Sequence, residues 1–341
     1  MVNKHFVVVL GAGASRELGQ QPVPMMADWA DLLFDDFKAE NFDTSIIGLE
    51  KQMGGRKFEI ALGQFFTAQR LITQGFSLLP FYSGLGKPDF DKNVEPWLET
   101  AGVEAARAIE IIRKNLVSNF GGGVITAEKA SRAYERFLAQ LEGSGVDLKR
   151  TVLATTNYDR AIEMALEQLG RPFADGFQSP EPQQIPKFLP EGMIDKSFGH
   201  RSMPVLHLHG AVNWYVKADG QIVRQFNDVE YDRAYGTPAI MLPDPQKDPG
   251  QDDAIGDLWT EFQHAVDECS HLLIIGHGLN DEMLVSSIRE RNRPTAWAVP
   301  RATKKADELT SLLPDAVPVD MSFGPNSSNQ ALSSWLEEVV A

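Results

Sequence analysis

Short apolar runs that lead into glycine-rich or polar strings constrain the fold of this chain most strongly. Three runs of this kind are Phe6 to Leu10 with Gly11-Ala12-Gly13-Ala14-Ser15, Thr151 to Ala154 with Thr155-Thr156-Asn157-Tyr158-Asp159, and Pro204 to Leu208 with His207-Leu208-His209-Gly210. Each run is typical of a buried strand. Open α/β sheets bind their ligands at the carboxyl ends of parallel strands. The three strings therefore predict one site that combines a glycine turn, an amide, a carboxylate and an imidazole.

Strand-like and helix-like segments alternate over the rest of the chain. Further strands are predicted at Ala239 to Leu242, His271 to Ile275, Thr295 to Val299 and Ala316 to Val319. Helices are predicted at Arg160 to Leu169, Ile255 to Glu268, Asp281 to Arg289 and Asn329 to Val339. This alternation predicts an α/β fold, a Rossmann-like doubly wound parallel sheet. An irregular crossing is expected at Pro172 to His200, and a hairpin around Asp219-Gly220.

A helical insertion is predicted after the first strand. The segments Met26 to Ala39, Glu59 to Ile72, Pro96 to Asn119 and Ala127 to Glu142 have helical spacing of apolar residues. We therefore expect a Rossmann-like domain formed by residues 1–25 and 149–341, and an insertion lobe at 26–148. The apolar faces of these helices exceed what one exposed layer tolerates in water, which predicts a self-association or partner surface there.

Charge and hydropathy exclude several classes of partner. The 341 residues carry a formal net charge of −15, which argues against a broad surface for nucleic acid or anionic membranes. No apolar run approaches the ~18 residues needed to span a bilayer. Met1 to Lys4 lead directly into a strand without the pattern of a signal peptide, so a cytoplasmic protein is expected.

The glycine string has two interpretations. A dehydrogenase-type fingerprint requires a third glycine at position 16, where this chain has Arg16. Gly11 and Gly13 still permit a tight turn and close approach to a phosphate, and Ser15 can cap a helix or bond a phosphate oxygen. The alternative is an ordinary strand-to-helix turn.

Asn157 and Asp159 are likewise open to a structural or a functional interpretation. Either residue can cap the helix predicted to begin at Arg160. For Asn157 we favour function, since a neutral amide can hold a ribose hydroxyl or a water molecule.

The His207-x-His209 pair predicts two side chains on one side of a strand. A metallohydrolase of the His-x-His-x-Asp type needs a carboxylate at position 211, where this chain has Ala211. His209 beside Gly210 suits a base that reaches into a cleft, whereas His207 is expected in the core or behind the site. His277 either contacts a ligand or ends a strand.

The order and spelling of these strings resemble the sirtuin (silent information regulator) superfamily. The resemblance implies that Gly11, Ala12, Gly13 and Ser15 bind the phosphates of NAD⁺, and that Asn157 and Asp159 lie at the nicotinamide ribose. It also implies that His209 with Gly210 supplies the base. Leu272 to Gly276 and His277 resemble the later strand and turn that touch adenosine. The resemblance does not extend over Met25 to Arg150.

The family's structural zinc is not expected here. Its site needs four cysteine thiolates, and this chain has one cysteine, Cys269, which we interpret as a small buried residue. Without the zinc module that helps to shape a peptide groove, water becomes the expected acceptor. The chain then resembles zinc-less bacterial effectors of antiphage defence that deplete NAD⁺.

The sequence thus predicts an NAD⁺ glycohydrolase with NAD⁺ as substrate and no metal, in which His209 is the base and Asn157 positions ribose or water. The resemblance implies a homo-oligomer and a regulatory partner such as an ATPase or an Argonaute. Two alternatives stay open: a protein deacylase or ADP-ribosyltransferase, and a non-catalytic nucleotide-binding subunit.

Overall fold

The computed structural model describes residues 5–47, 58, 60–65, 68, 95–121, 123–178, 187–188, 192–217, 219–225, 236–241, 253–289, 291, 293–327 and 329–340. The chain divides into two compact units. The first comprises residues 1–25, 117–241 and 248–341, and the second comprises 26–116 and 242–247.

The strands of the described residues all belong to the first unit. They are β1 Phe6–Leu10, β2 Thr151–Thr155, β3 Phe173–Ala174, β4 Phe177–Gln178, β5 Lys187–Phe188, β6 Met203–His207, β7 Gly210–Val216, β8 Ile222–Arg224, β9 Thr237–Ile240, β10 His271–Ile275, β11 Thr295–Val299 and β12 Ala316–Asp320. The helices are α1 Ala12–Ser15, α2 Met26–Ala39, α3 Glu95–Phe120, α4 Ala127–Gly143, α5 Ala161–Gln168, α6 Met193–His200, α7 Asp253–Glu268, α8 Glu282–Arg289, α9 Ala306–Leu312 and α10 Gln330–Val340. Short 3₁₀ turns lie at Thr44–Ile47, Leu148–Arg150 and Ala302–Lys305.

Seven strands form a parallel sheet in the order β12-β11-β10-β1-β2-β6-β3. From β1 the chain builds outward through β2 and β6, then crosses back to β10 and continues through β11 and β12. This is the strand order of a doubly wound Rossmann-like fold, so the α/β fold class predicted from the sequence is confirmed. The order reverses between β1 and β10, where such sheets open a crevice for ligands.

Two hydrophobic cores cover the two faces of this sheet. Successive strand residues point to opposite faces, and β1 shows this directly: Phe6, Val8 and Leu10 enter one core, and Val7 and Val9 enter the other. The first core includes buried residues of α4, α5 and α10, and the second includes residues of α6, α7, α8 and α9. Burial on both faces explains why these strands are continuous apolar runs.

A second, antiparallel sheet has the order β4-β5-β8-β7-β9. The hairpin expected around Asp219-Gly220 is confirmed, because β7 pairs antiparallel with β8 and the Lys217 amide donates to the Gln221 carbonyl at 2.9 Å. The strand expected at Ala239 to Leu242 was wrongly placed among the parallel strands. It is β9, and it pairs with β7.

Two further expectations differ from the structure. The crossing from Pro172 to His200 was expected to be irregular, but it contains three two-residue strands and α6, whose Met193 and Ile194 are buried in the second core. Residues 117–148, assigned from the sequence to the insertion, group with the sheet unit. The reason is the apolar face of α4, since Tyr134, Phe137 and Leu141 pack into the first core.

The second unit is mainly helical in its described residues, which are 26–47, 58, 60–65, 68 and 95–116. Its buried side chains include Trp29, Phe37 and Ile112. Trp29 Nε1 donates to Asn115 Oδ1 at 2.6 Å, so a polar contact also holds this unit together. Half of the helix predicted at Glu59 to Ile72 lies outside the described residues, and residues 60–65 and 68 are helical.

Among the helices within these described ranges, none combines the length and apolar character needed to cross a bilayer.

Candidate functional site

The glycine string lies at the switch point of the parallel sheet. The Gly11 amide donates to the Ile275 carbonyl at 2.9 Å, and the Gly13 amide donates to the Gly276 carbonyl at 2.8 Å. Gly276 has a φ of +63°, and a Cβ there would collide with the backbone of Gly13 and Ala14. Glycine is therefore required where the ends of β1 and β10 meet. These backbone contacts fix the start of the loop from Gly11 to Ser15 against the end of β10.

Asn157 ties the end of β2 to this glycine loop. Its Nδ2 donates to the Gly11 carbonyl and to Ser15 Oγ, both at 3.0 Å. Its own amide donates to Thr155 Oγ1 at 3.0 Å, and Thr155 Oγ1 donates to the Leu10 carbonyl. The side chain is buried. The side-chain nitrogen Nδ2 of Asn157 therefore holds the glycine loop in place.

Asp159 lies behind Asn157 as a buried helix cap. Its Oδ1 accepts from the Ala161 amide at 2.9 Å, and its carboxylate also pairs with the Ser15 hydroxyl. Burial raises the pKa of Asp159, and the hydrogen bonds from Ala161 and Ser15 offset only part of that effect. This carboxylate serves the start of α5 and the glycine loop.

His209 forms a pair with a carboxylate that follows β10. His209 Nε2 lies 2.9 Å from Asp281 Oδ2. The other oxygen of Asp281 accepts from the amides of Met283 and Leu284 at 3.1 and 3.2 Å, so Asp281 also caps α8. The side chains of His209 and Asp281 are 8% and 5% exposed, which leaves the pair nearly but not fully closed to solvent.

A closed ring of contacts joins these groups. Asn157 holds Gly11, and Gly11 lies against His277, since a Cβ at Gly11 would be 2.5 Å from the His277 Cα. The turn from His277 leads to Asp281, which bonds His209. The imidazole of His209 faces the ring of Tyr158, the neighbour of Asn157, with 6.2 Å between ring centroids. The carboxyl ends of β1, β2, β6 and β10 thus meet at the switch point, where such sheets bind their ligands, and we call this place the crevice.

His207 belongs to a different environment. Its Nε2 lies 2.8 Å from Glu163 Oε1, and the two side chains are 0% and 1% exposed. Burial acts to lower the pKa of His207, but the charge of Glu163 and its hydrogen bond, together with the charge of Asp159 and a hydrogen bond to the Asn157 backbone, raise the pKa above its ordinary value. Burial likewise acts to raise the pKa of Glu163, but the charge of His207 and its hydrogen bond, together with the charge of Arg160, lower the pKa below its ordinary value. The pair therefore links α5 to β6 as a buried ion pair.

The expectation that His207 and His209 share one side of a strand was wrong. β6 ends at His207, and residues 208–209 form a turn before β7 begins at Gly210. Gly210 has a φ of +72°, and a Cβ there would collide with the Ala239 carbonyl. The chain reverses at this glycine, so the two imidazoles reach different carboxylates.

The remaining predicted residues also lie around the crevice. Ala12 and Gly13 are the first two residues of α1, and both are half-buried. Gly276, which follows β10, is also half-buried. His277 is buried, and its Nδ1 accepts from the Leu279 amide at 2.9 Å.

Sequence reasoning missed Asp281 as part of the site. Asp281 was interpreted only as the start of a helix. The sequence did carry a signal, because a carboxylate in the turn after β10 lies at the same edge of the sheet as the other strings.

No group of three or more His, Cys, Asp or Glu side chains within the described ranges is arranged to hold a metal ion. Cys269 is fully buried, and burial raises the pKa of its thiol to about 11, as expected of a packed, unreactive cysteine.

Comparison with known proteins gives one family match. Residues 151–311 match the family model described as the SIR2-like domain. This span includes Asn157, Asp159, His209, Gly276 and Asp281, and it supports a place in the sirtuin-like superfamily. No curated protein matched the chain.

Solved structures also show similarity to the chain. One is described as "Structural Basis for the Mechanism and Regulation of Sir2 Enzymes". It has 14% sequence identity and a TM-score of 0.36, and the alignment covers 99% of this chain and 92% of that one.

Proposed function

We propose that this chain hydrolyses NAD⁺ to ADP-ribose and nicotinamide. The observation that carries the proposal is the ring of contacts at the switch point, which brings a glycine loop and a histidine–carboxylate pair to one crevice. The match of residues 151–311 to the SIR2-like domain supports NAD-dependent activity. That water is the acceptor, so that NAD⁺ is hydrolysed, is our own proposal.

The proposed roles follow the positions of the residues. The loop of Gly11, Ala12, Gly13 and Ser15 binds the pyrophosphate, because its two glycines lack Cβ atoms and permit close approach of the backbone to a phosphate. Asn157 and Asp159 hold that loop and the nicotinamide ribose beside it.

The other contacts lie on the far sides of the crevice. Gly276 and His277 contact the adenosine end, whereas Gly210 turns the chain so that His209 faces the crevice.

The chemical step needs a base and a shaped pocket. A water oxygen forms a bond to ribose C1′ as the bond from C1′ to the nicotinamide nitrogen breaks, through an oxocarbenium-like state. The bonding electron pair leaves with nicotinamide, whose cationic nitrogen becomes neutral, so the leaving group requires no acid. The proton lost by water passes to the imidazole of His209, which acts as the general base.

A nicotinamide-release assay tests this function. Purified protein is incubated with NAD⁺, with and without an acetylated peptide, and nicotinamide and ADP-ribose are quantified. We expect equal amounts of both products without peptide. Release only in the presence of peptide would instead identify a deacylase or ADP-ribosyltransferase. Binding of NAD⁺ without release would identify a nucleotide-binding subunit.

We also propose that the enzyme is a cytoplasmic effector of bacterial antiphage defence, assembled as a homo-oligomer or with a partner such as an ATPase or an Argonaute. The resemblance to zinc-less effectors supports this role. In the second unit, the exposed large apolar side chains of the described residues are Leu32, Ile60 and Val103. Sedimentation at micromolar concentration tests the assembly, and cellular NAD⁺ measured during phage infection tests the role. A monomer and a constant NAD⁺ level would contradict them.

A further inference from the structure

Asp281 uses its two carboxylate oxygens for two different tasks. Oδ1 accepts from the amides of Met283 and Leu284 at the start of α8, and Oδ2 faces His209 Nε2. Because Oδ1 is held by the helix, the carboxylate plane is fixed. Its second oxygen is therefore presented to the imidazole in one orientation.

This contact decides which nitrogen of His209 carries the proton. An ionised carboxylate can only accept hydrogen bonds, so the group opposite it must donate. In a neutral imidazole one nitrogen donates and the other accepts. With the proton on Nε2, the basic lone pair of His209 is on Nδ1.

The surroundings of His209 hold the ring in this orientation. The His209 carbonyl accepts from the Met241 amide at 2.8 Å, which fixes the backbone. The rings of Tyr158 and Trp259 lie 6.2 and 6.3 Å from the imidazole centroid. Trp259 is itself anchored, because its Nε1 donates to the Leu208 carbonyl at 2.8 Å.

We propose that Asp281 is a positioning residue that keeps the proton of His209 on Nε2, so that Nδ1 is the atom that accepts the proton from water. The role in turnover rests on the proposed NAD⁺ hydrolysis. The assignment of the tautomer does not, since it follows from the hydrogen bond alone. Asp281 itself does not touch the reacting atoms.

The decisive variant is Asp281→Asn. Its carbonyl oxygen can still accept from Met283 and Leu284, and asparagine is a good helix cap, so the fold is retained. Its NH₂ group now faces the imidazole and can only donate. The proton of His209 must then move to Nδ1, where it blocks the base. We expect kcat to fall ~10²–10⁴-fold with little change in the affinity for NAD⁺.

Asp147→Asn is the matched control. Asp147 Oδ1 accepts from the Lys149 amide at 3.0 Å and caps the turn Leu148–Arg150, so the same chemical change is made at another cap. We expect unchanged kcat in this variant. Wild-type turnover in Asp281→Asn would overturn the proposal.

A spectroscopic measurement tests the tautomer without turnover. In protein labelled with ¹⁵N-histidine, two-bond ¹H–¹⁵N correlations show which ring nitrogen is protonated, and His209→Gln identifies the His209 signals. We expect a protonated Nε2 in the wild type and a protonated Nδ1 in Asp281→Asn. A wild-type protein without NAD⁺ hydrolysis but with protonated Nε2 would refute the function and keep the tautomer assignment. A protonated Nδ1 in the wild type would refute the inference itself.

Discussion

Two histidine–carboxylate pairs, whose histidines are two residues apart, occupy regions of very different character. His207 and Glu163 meet at 2.8 Å with essentially no exposure, whereas His209 and Asp281 meet at 2.9 Å at the rim of the crevice. The contact geometry is nearly the same. The difference is position, because β6 ends between the two histidines and the chain turns. The end of β6 therefore separates a fully buried pair inside the fold from the pair that we propose takes part in the chemical step.

The largest expected effect separates the two pairs by turnover. His209→Ala removes the proposed base and leaves the glycine loop intact, so kcat should fall ~10²–10⁴-fold while NAD⁺ still binds. His207→Ala should reduce kcat less, since that imidazole does not reach the crevice. Nicotinamide release and calorimetric titration of NAD⁺ measure the two quantities. Near-normal turnover in His209→Ala together with an inactive His207→Ala would reverse the comparison.

The second prediction separates the pairs by stability. Glu163→Ala leaves His207 buried without its partner, and breaking such a buried pair costs about 3–5 kcal/mol of the free energy of unfolding. Glu167→Ala on the same helix is the control, because Glu167 is half-exposed and its contact with Arg160 is long, at 3.8 Å. Exposed pairs contribute about 0–1 kcal/mol. Urea denaturation measures the free energy of unfolding of both variants. Equal losses of this free energy would show that the buried pair is not structural.

The sequence predicted the sheet more fully than the site. Glycine and polar strings after apolar runs located the crevice, because the carboxyl ends of parallel strands share one edge. The partners within the crevice were not predictable. Nothing in the spacing of His207 and His209 shows that the strand stops between them. The contact between His209 and Asp281 joins residues 72 positions apart, and the role of Asn157 in holding Gly11 depends on strand register.

The third prediction concerns the pH dependence of the buried pair. Two neighbouring charges act on the pair of His207 and Glu163. Asp159 raises the pKa of His207, and Arg160 lowers the pKa of Glu163. A lowered Glu163 pKa stabilises the fold above the ordinary value of 4.5, and this is lost as pH falls through the folded pKa. A raised His207 pKa stabilises it below the ordinary value of 6.5, and this is lost as pH rises through the folded pKa.

Both contributions are therefore complete only between those two ordinary values. The difference in free energy of unfolding between wild type and Glu163→Gln should be largest in that window and should decrease toward alkaline pH. Denaturation series across the range measure it. Burial also raises the pKa of Asp159, which is present in both proteins. Taking the difference between wild type and variant therefore removes most of the effect of Asp159 on the free energy of unfolding. A difference that grows above the window would contradict the assigned shifts.

Metal removal should have the smallest effect. This experiment tests whether the two histidines act separately. Each imidazole is held by its own carboxylate, and the two carboxylates come from different elements, α5 and the turn before α8. A shared ion would require both histidines to leave those partners and converge. The proposed step needs only a base and a water molecule. We therefore expect NAD⁺ hydrolysis to survive dialysis against a chelator, with the same kcat as protein dialysed against buffer alone. Activity abolished by the chelator and restored by zinc would mean that the two pairs are one metal site, and the distinction between them would fail.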